Sequence, residues 1–165
     1  MSLSITAESI TGHLLATDLD EVRDEVTMSL YRRPQGDGRS FSTIDGRWVG
    51  HLRRVCYAKL RFWELADLVD SAQLLVSELV TNALKHGDGQ RVTCRILVTG
   101  GMIAIEVDDG SPGSRADVSV AGPDDESGRG MFIVAAYATE WGVSRDGTKT
   151  WCTLAVPACA ERARP

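Results

Sequence analysis

The spacing of apolar residues changes several times along the chain, and each change marks a predicted element. Steps of three and four residues indicate one buried face of a helix, whereas short β-branched runs indicate strands. A first long helix is predicted after the N-cap Asp45, because residues 49–63 keep helical spacing. A second is predicted from a cap at Asp67 to His86, and its wide apolar arc indicates burial against a sheet.

The remaining elements are three predicted strand pairs and one short helix. The strand pairs are 26–31 with 41–44, 91–98 with 102–107, and 141–144 with 149–156. Gly128 opens the third helix, and residues 131–138 are apolar on all sides, so we expect this helix to be buried. A stretch rich in Gly, Pro, Ser and Asp precedes it at 108–127, and a loop of that length is usually functional.

This order of elements predicts an α+β fold with the helices on one face of a mostly antiparallel sheet. We divide the chain into an N-terminal extension at 1–25, one domain at 26–157 and a flexible tail at 158–165. The length of 165 residues suits a single domain. The four tryptophans, including Trp48, are expected in the core or at its edge.

Composition narrows the class of protein. The net charge of -5 argues against a broad electrostatic grip on nucleic acid. The chain contains no apolar run of the roughly 20 residues that a membrane-spanning helix needs. It also starts without a secretory signal, so a cytoplasmic location is expected. Its four cysteines form no CxxC pair or metal-site spacing, and we expect them to be small buried hydrophobes.

Three motifs have residues suited to nucleotide chemistry. On the second helix, Glu78 and Asn82 stand one turn apart at the border of the apolar arc. There Asn82 offers a neutral oxygen to Mg²⁺ and Glu78 a base for a hydroxyl, although an ordinary solvated helix face has the same spacing. Asp108 ends a strand, and Gly110 follows in the turn. An aspartate there can accept a hydrogen bond from an exocyclic amine, and the glycine lets a flat ring approach the backbone. A simple turn that caps the strand has the same residues.

The third motif is Ser127-Gly-Arg-Gly-Met131, at the start of the third helix. Glycines at a helix N-terminus expose backbone N–H groups to a phosphate, and the alternative is a helix cap with a hinge. Neither a P-loop nor a complete dinucleotide-binding glycine motif is present.

Taken in order, these motifs resemble the ATP-binding domain of gyrase-type ATPases, heat-shock chaperones and sensor histidine kinases, the GHKL or Bergerat fold. The phrase LLVSELVTNALKHG looks most like the stand-alone actinobacterial anti-sigma-factor serine kinases of the RsbW-like group. The resemblance implies a two-layer sandwich with a mixed, mostly antiparallel sheet, and it covers about residues 28–157. We do not expect a sensor histidine kinase, because no helix with an acceptor histidine precedes the domain.

The resemblance also implies a role for each motif residue, and it adds Thr150, because Gly147-Thr-Lys-Thr150 looks like the terminal Gly-Thr box of the family. Glu78 would be the catalytic base, and Asn82 would hold Mg²⁺. The nucleotide would be bound by Asn82, Asp108, Gly110, Gly128, Arg129, Gly130 and Thr150, with Asp108 at the adenine amine and Arg129 at phosphate.

The implied cofactors are ATP and Mg²⁺, and the implied activity is phosphorylation of a serine or threonine on an anti-anti-sigma (STAS-type) protein. A sigma factor would be the competing partner, and a homodimer is expected. The chain departs from the family at Pro112, where many members have glycine, and at Glu126, where anti-sigma kinases have arginine. A non-catalytic, ATP-gated protein-binding module therefore stays open as a second function.

Overall fold

The structure is a computed structural model, and it describes residues 22–32, 47–87, 89–99, 101–111 and 129–157. Several predictions fall elsewhere. The return strand at 41–44, the cap Asp45, the tail at 158–165 and Gly128 lie outside the described residues, as does most of the extension at 1–25.

The described residues form five strands and three α-helices in the predicted order. The strands are β1 (Asp24–Tyr31), β2 (Arg91–Val98), β3 (Met102–Asp108), β4 (Glu140–Val143) and β5 (Lys149–Ala155). The helices are α1 (Arg47–Phe62), α2 (Val69–His86) and α3 (Arg129–Tyr137). Strand β1 thus begins at Asp24, two residues before the start of the predicted domain.

The strands pair in the order β1-β2-β3-β5-β4, and all four pairings are antiparallel. In the centre of the sheet, Cys94 lies opposite Val107, and Ile105 lies opposite Cys152. These residues share the face that packs against the helices, so the alternation of side chains along each strand sets which residues reach the core. The predicted α+β fold is confirmed.

Helix α2 is the element around which the core is built. Its fully buried positions include Leu75, Val76, Leu79 and Val80, which pack with β2, β3 and β5 on one side of the sheet. Each such side chain contributes about 1.5–3 kcal/mol through its removal from water. The opposite sheet face also has a small buried cluster at Leu97 and Ala104.

Three local predictions were wrong. Asp67 is not the cap of α2, because the chain enters the helix through a short 3-10 turn at Ala66–Leu68 and the N-cap residue is Leu68, with no side-chain hydrogen bond. Helix α3 is buried only at Met131 and Val134 because it packs through one face, and Phe132 and Tyr137 are exposed. Trp48, which was expected in the core or at its edge, is 48% exposed and does not pack against the core.

Three of the four cysteines lie in the core as expected. Burial raises the pKa of the Cys56 and Cys152 thiols to about 12, and it also raises the pKa of Cys94. These thiols are therefore protonated at any physiological pH, and the thiolate is the nucleophilic form.

We predict that iodoacetamide at pH 8 leaves Cys56, Cys94 and Cys152 unmodified in the native chain. Alkylation should be roughly a thousandfold slower than for an ordinary exposed thiol of pKa near 8.5, and it should become rapid in urea. Peptide mapping by mass spectrometry measures each site separately. Native labelling of any of the three at the rate of a free thiol would contradict the described core.

Candidate functional site

Glu78 and Asn82 lie where the sequence predicts, on the border of the buried face of α2. Both are half-buried, while their neighbours Leu79 and Ala83 are buried in the core. Within the described ranges, neither the Glu78 carboxylate nor the Asn82 carboxamide makes a hydrogen bond or an ion pair. Two polar groups one turn apart, held by a rigid helix and unpartnered by the residues that the structure describes, are available to a ligand.

Helix α3 approaches this part of α2 through a glycine. A Cβ atom on Gly130 would lie only 2.8 Å from Oε2 of Glu78, so the absence of a side chain is what lets the helix and the carboxylate meet. The first predicted motif and the third, which are separated by a long stretch of chain, therefore converge. Arg129 is exposed at the first position of α3.

The N-terminus of α3 is chemically suited to an anion. The first N–H groups of any helix have no partner inside the helix, and its dipole places partial positive charge there. In α3 these groups belong to the turn that begins Arg129-Gly130-Met131. This turn and Glu78 thus place hydrogen-bond donors and a carboxylate side by side.

The end of α2 also contacts the turn that follows β3. A Cβ atom on Gly87 would lie 2.7 Å from Cβ of Asp109, and one on Gly89 would clash with the carbonyl oxygen of Asp109. Gly110 has φ of 69°, a conformation that glycine adopts at little cost. The second predicted motif therefore packs against the end of the first, and glycines make that contact possible.

Strand β5 brings Thr150 to the end of β3. Thr150 lies opposite Val107, on the face that packs against the helices, and Asp108 lies opposite Lys149. The N–H group of Asp109 donates to the carbonyl oxygen of Thr148 over 3.0 Å, which ties the turn after β3 to the start of β5.

Asp108 has an immediate local partner. Its Oδ1 atom accepts a hydrogen bond from the N–H group of Gly110 at 2.8 Å. Because side chains alternate along a strand, the side chain of Asp108 leaves the sheet on the other face from that of Val107. The described carboxylate thus stabilises the turn. Contact with an adenine amine stays a prediction for this residue.

Arg32 is a part of this region that the sequence reasoning missed. One of its guanidinium nitrogens, Nη2, donates to the carbonyl oxygen of Leu84 at 2.9 Å and lies 3.4 Å from that of Ala83. A cation at the C-terminus of α2 satisfies the last carbonyl groups and opposes the negative end of the dipole. In the sequence Arg32 only follows the predicted strand at 26–31, and no local pattern indicates its contact with the end of α2.

The described residues thus form an α+β domain. Helix α2 presents a carboxylate and a carboxamide, and it contacts both a glycine-containing turn and the N-terminus of α3. The family model for the histidine kinase-like ATPase domain matches residues 49–156. Because the match spans more than half of the chain, the chain belongs to this family. A search of curated proteins found no match.

The family match includes every candidate residue, from Glu78 to Thr150. It supports ATP binding by this domain, whereas the roles of the individual residues and the finer likeness to anti-sigma kinases stay predictions. Among the described residues, no group of three or more His, Cys, Asp and Glu side chains is arranged to hold a metal ion. None of the described helices is long and apolar enough to cross a membrane.

We predict that three Gly-to-Ala substitutions affect the free energy of unfolding differently. The effect depends on whether the glycine allows another segment to approach closely or only lowers the helix propensity. Gly89→Ala should lower the free energy of unfolding, because the added methyl meets the backbone of Asp109. Gly50→Ala is the control: nothing lies within 4 Å, and alanine in α1 should add about 0.5–1 kcal/mol. Gly130→Ala should keep wild-type stability, because the end of the Glu78 side chain can move away.

Urea unfolding followed by circular dichroism measures all three variants. Wild-type stability of Gly89→Ala would show that α2 and the turn after β3 do not approach as closely as described. A large loss in Gly130→Ala would show that rigid packing, rather than the mobile end of Glu78, surrounds that glycine.

Proposed function

We propose that the chain is a Mg²⁺-ATP-binding regulatory protein that phosphorylates a serine or threonine of a small partner of the anti-anti-sigma (STAS) type. By the same resemblance it would act in the cytoplasm as a homodimer and as an anti-sigma factor. The observation that carries the proposal is the position of the Glu78 carboxylate beside Gly130, at the N-terminus of α3. A candidate base and a candidate phosphate site thus lie side by side in a chain of the histidine kinase-like ATPase family.

The donor set suits Mg²⁺ bound to a nucleotide. Mg²⁺ prefers oxygen ligands and is usually held by one or two protein groups together with phosphates and waters. Asn82 supplies a carboxamide oxygen on an accessible edge of α2, and it has no competing partner among the described residues. The bound ion would neutralise phosphate charge during transfer.

The other residues would bind, orient and accept a proton. The backbone N–H groups in the first turn of α3 would donate to phosphate oxygens, and the exposed Arg129 would add a cation next to them. Glu78 would accept the proton of the attacking hydroxyl, because its carboxylate already reaches the first turn of α3. Gly110 and Thr150 would border the adenine, and Asp108 would accept from its amine.

We predict that Glu78→Gln separates transfer from binding. The amide keeps the size of the side chain but cannot accept the proton, so phosphate transfer should fall by about 10²–10⁴-fold while ATP binding persists. Transfer from labelled Mg²⁺-ATP to a candidate anti-anti-sigma protein and calorimetry with ATP measure the two properties. Glu140→Gln, which removes an exposed carboxylate on β4, should leave both at the wild-type level.

Two results would change the proposal. Equal transfer by wild type and Glu78→Gln would remove Glu78 from catalysis. Wild-type binding of Mg²⁺-ATP without transfer to any such partner would favour the ATP-gated binding module.

In either case, Asn82→Ala tests the metal site, because it should abolish the Mg²⁺-dependent part of ATP binding and leave the unfolding transition unchanged.

A further inference from the structure

Helix α1 has a second apolar stripe that the core does not use. Its buried residues are Leu52, Cys56 and Leu60, which face α2 and the sheet. Trp48, Val55 and Phe62 are spaced by seven residues, and at 100° per residue they line up along a flank of the helix about a quarter turn or more from the buried face. Trp48 is 48% exposed and Phe62 is 73% exposed.

This stripe borders an open surface groove of about 460 Å³. Its lining residues are Arg54, Val55, Ala58, Lys59 and Phe62. Neighbouring side chains orient the aromatic rings at the two ends of the stripe, Trp48 beyond the groove and Phe62 within it. The Trp48 ring meets His51 edge-on with centroids 5.9 Å apart, and Nζ of Lys59 lies 5.7 Å from the centroid of Phe62. Aromatic groups that are already oriented bind a partner at a lower entropic cost.

The charge of α1 is opposite to that of the rest of the chain. The helix contains four arginines and one lysine but no aspartate or glutamate, whereas the net charge of the chain is -5. Nζ of Lys59 lies 3.8 Å from Oδ2 of Asp24, so the positive charge of Lys59 is partly compensated by that carboxylate. Arg54 lines the groove, and Arg61 follows it seven residues later on the same flank of α1. Both are exposed, and neither has an ion pair among the described residues.

We propose that this flank of α1 docks an acidic amphipathic helix of a partner protein. Apolar residues of the partner at heptad spacing would pack between Trp48, Val55 and Phe62, as side chains do in helix-in-groove recognition. Carboxylates along one edge of that helix would face Arg54 and Arg61, which sets its orientation. The largely apolar floor of the groove favours a peptide over nucleic acid, whose contacts with a protein are mainly to phosphate.

The docking surface goes beyond the proposed function and does not depend on it. The candidate nucleotide residues that the structure describes lie on α2, at the end of β3 and in the turn after it, at the start of α3 and on β5, and none of them lies on α1. Docking can therefore be measured on the full chain without nucleotide, and ATP binding can be measured without a docked peptide. A failure of one proposal leaves the measurement of the other intact.

The test uses a fluorescein-labelled three-heptad peptide with Leu at a and d and Glu at e and g, followed by fluorescence anisotropy. We expect saturable binding that weakens as salt is raised, because opposite charges contribute to it. Arg54→Glu and Phe62→Ser should each weaken binding by at least about tenfold. The matched controls Arg145→Glu and Tyr137→Ser, exposed residues outside α1, should bind as wild type does, and circular dichroism verifies that all four variants fold.

Several outcomes would overturn the proposal. These are no binding, equal losses in the control variants, or equal binding of a peptide with Lys in place of Glu. Tighter binding of a single-stranded oligonucleotide would assign the surface to nucleic acid. Tighter binding of a synthetic peptide of residues 1–21 would assign it to the chain itself. A dimer in sedimentation that Phe62→Ser converts to monomer would assign it to a second copy.

Discussion

The burial of one face of α2 is the constraint on which the rest of the structure depends. Leu75, Leu79 and Val80 are fully enclosed against the sheet, so the helix cannot rotate about its axis without exposing them. Glu78 and Asn82 are therefore held at the edge of the core. The same helix meets α3 through Gly130 beside Glu78 and meets the turn after β3 through the glycines that follow its last residue.

The fold could be predicted from the sequence wherever the pattern of residues within one element was enough to define that element. The periodicity of residues 69–86 and the paired β-branched runs around residues 99–101 are local signals, and both elements formed as predicted. The positions of Glu78 and Asn82 at the border of the buried face of α2 could be predicted for the same reason. Local patterns contain no information about which distant residue arrives at a helix end. Arg32 at the end of α2, and the 3-10 turn that displaced Asp67 from its expected cap, depend on tertiary packing and were missed.

Helix α1 connects the two proposed surfaces. It packs against α2 through Leu52, Cys56 and Leu60, and the side chain of Gln73 on α2 donates to the carbonyl oxygen of Arg53 at 2.9 Å. A partner on the exposed flank of α1 would thus sit one helix away from Glu78. That arrangement would leave the nucleotide site open while a protein is bound, because none of the described candidate nucleotide residues lies on α1.

We propose that segments distant in sequence together form one nucleotide site. Titration of the ¹⁵N-labelled chain with Mg²⁺ and a non-hydrolysable ATP analogue tests it most directly. We expect amide shifts to change together at Asn82, at Gly110, in the first turn of α3 and at Thr150, with small changes in α1. Changes confined to one of these segments, or concentrated in α1, would contradict the account.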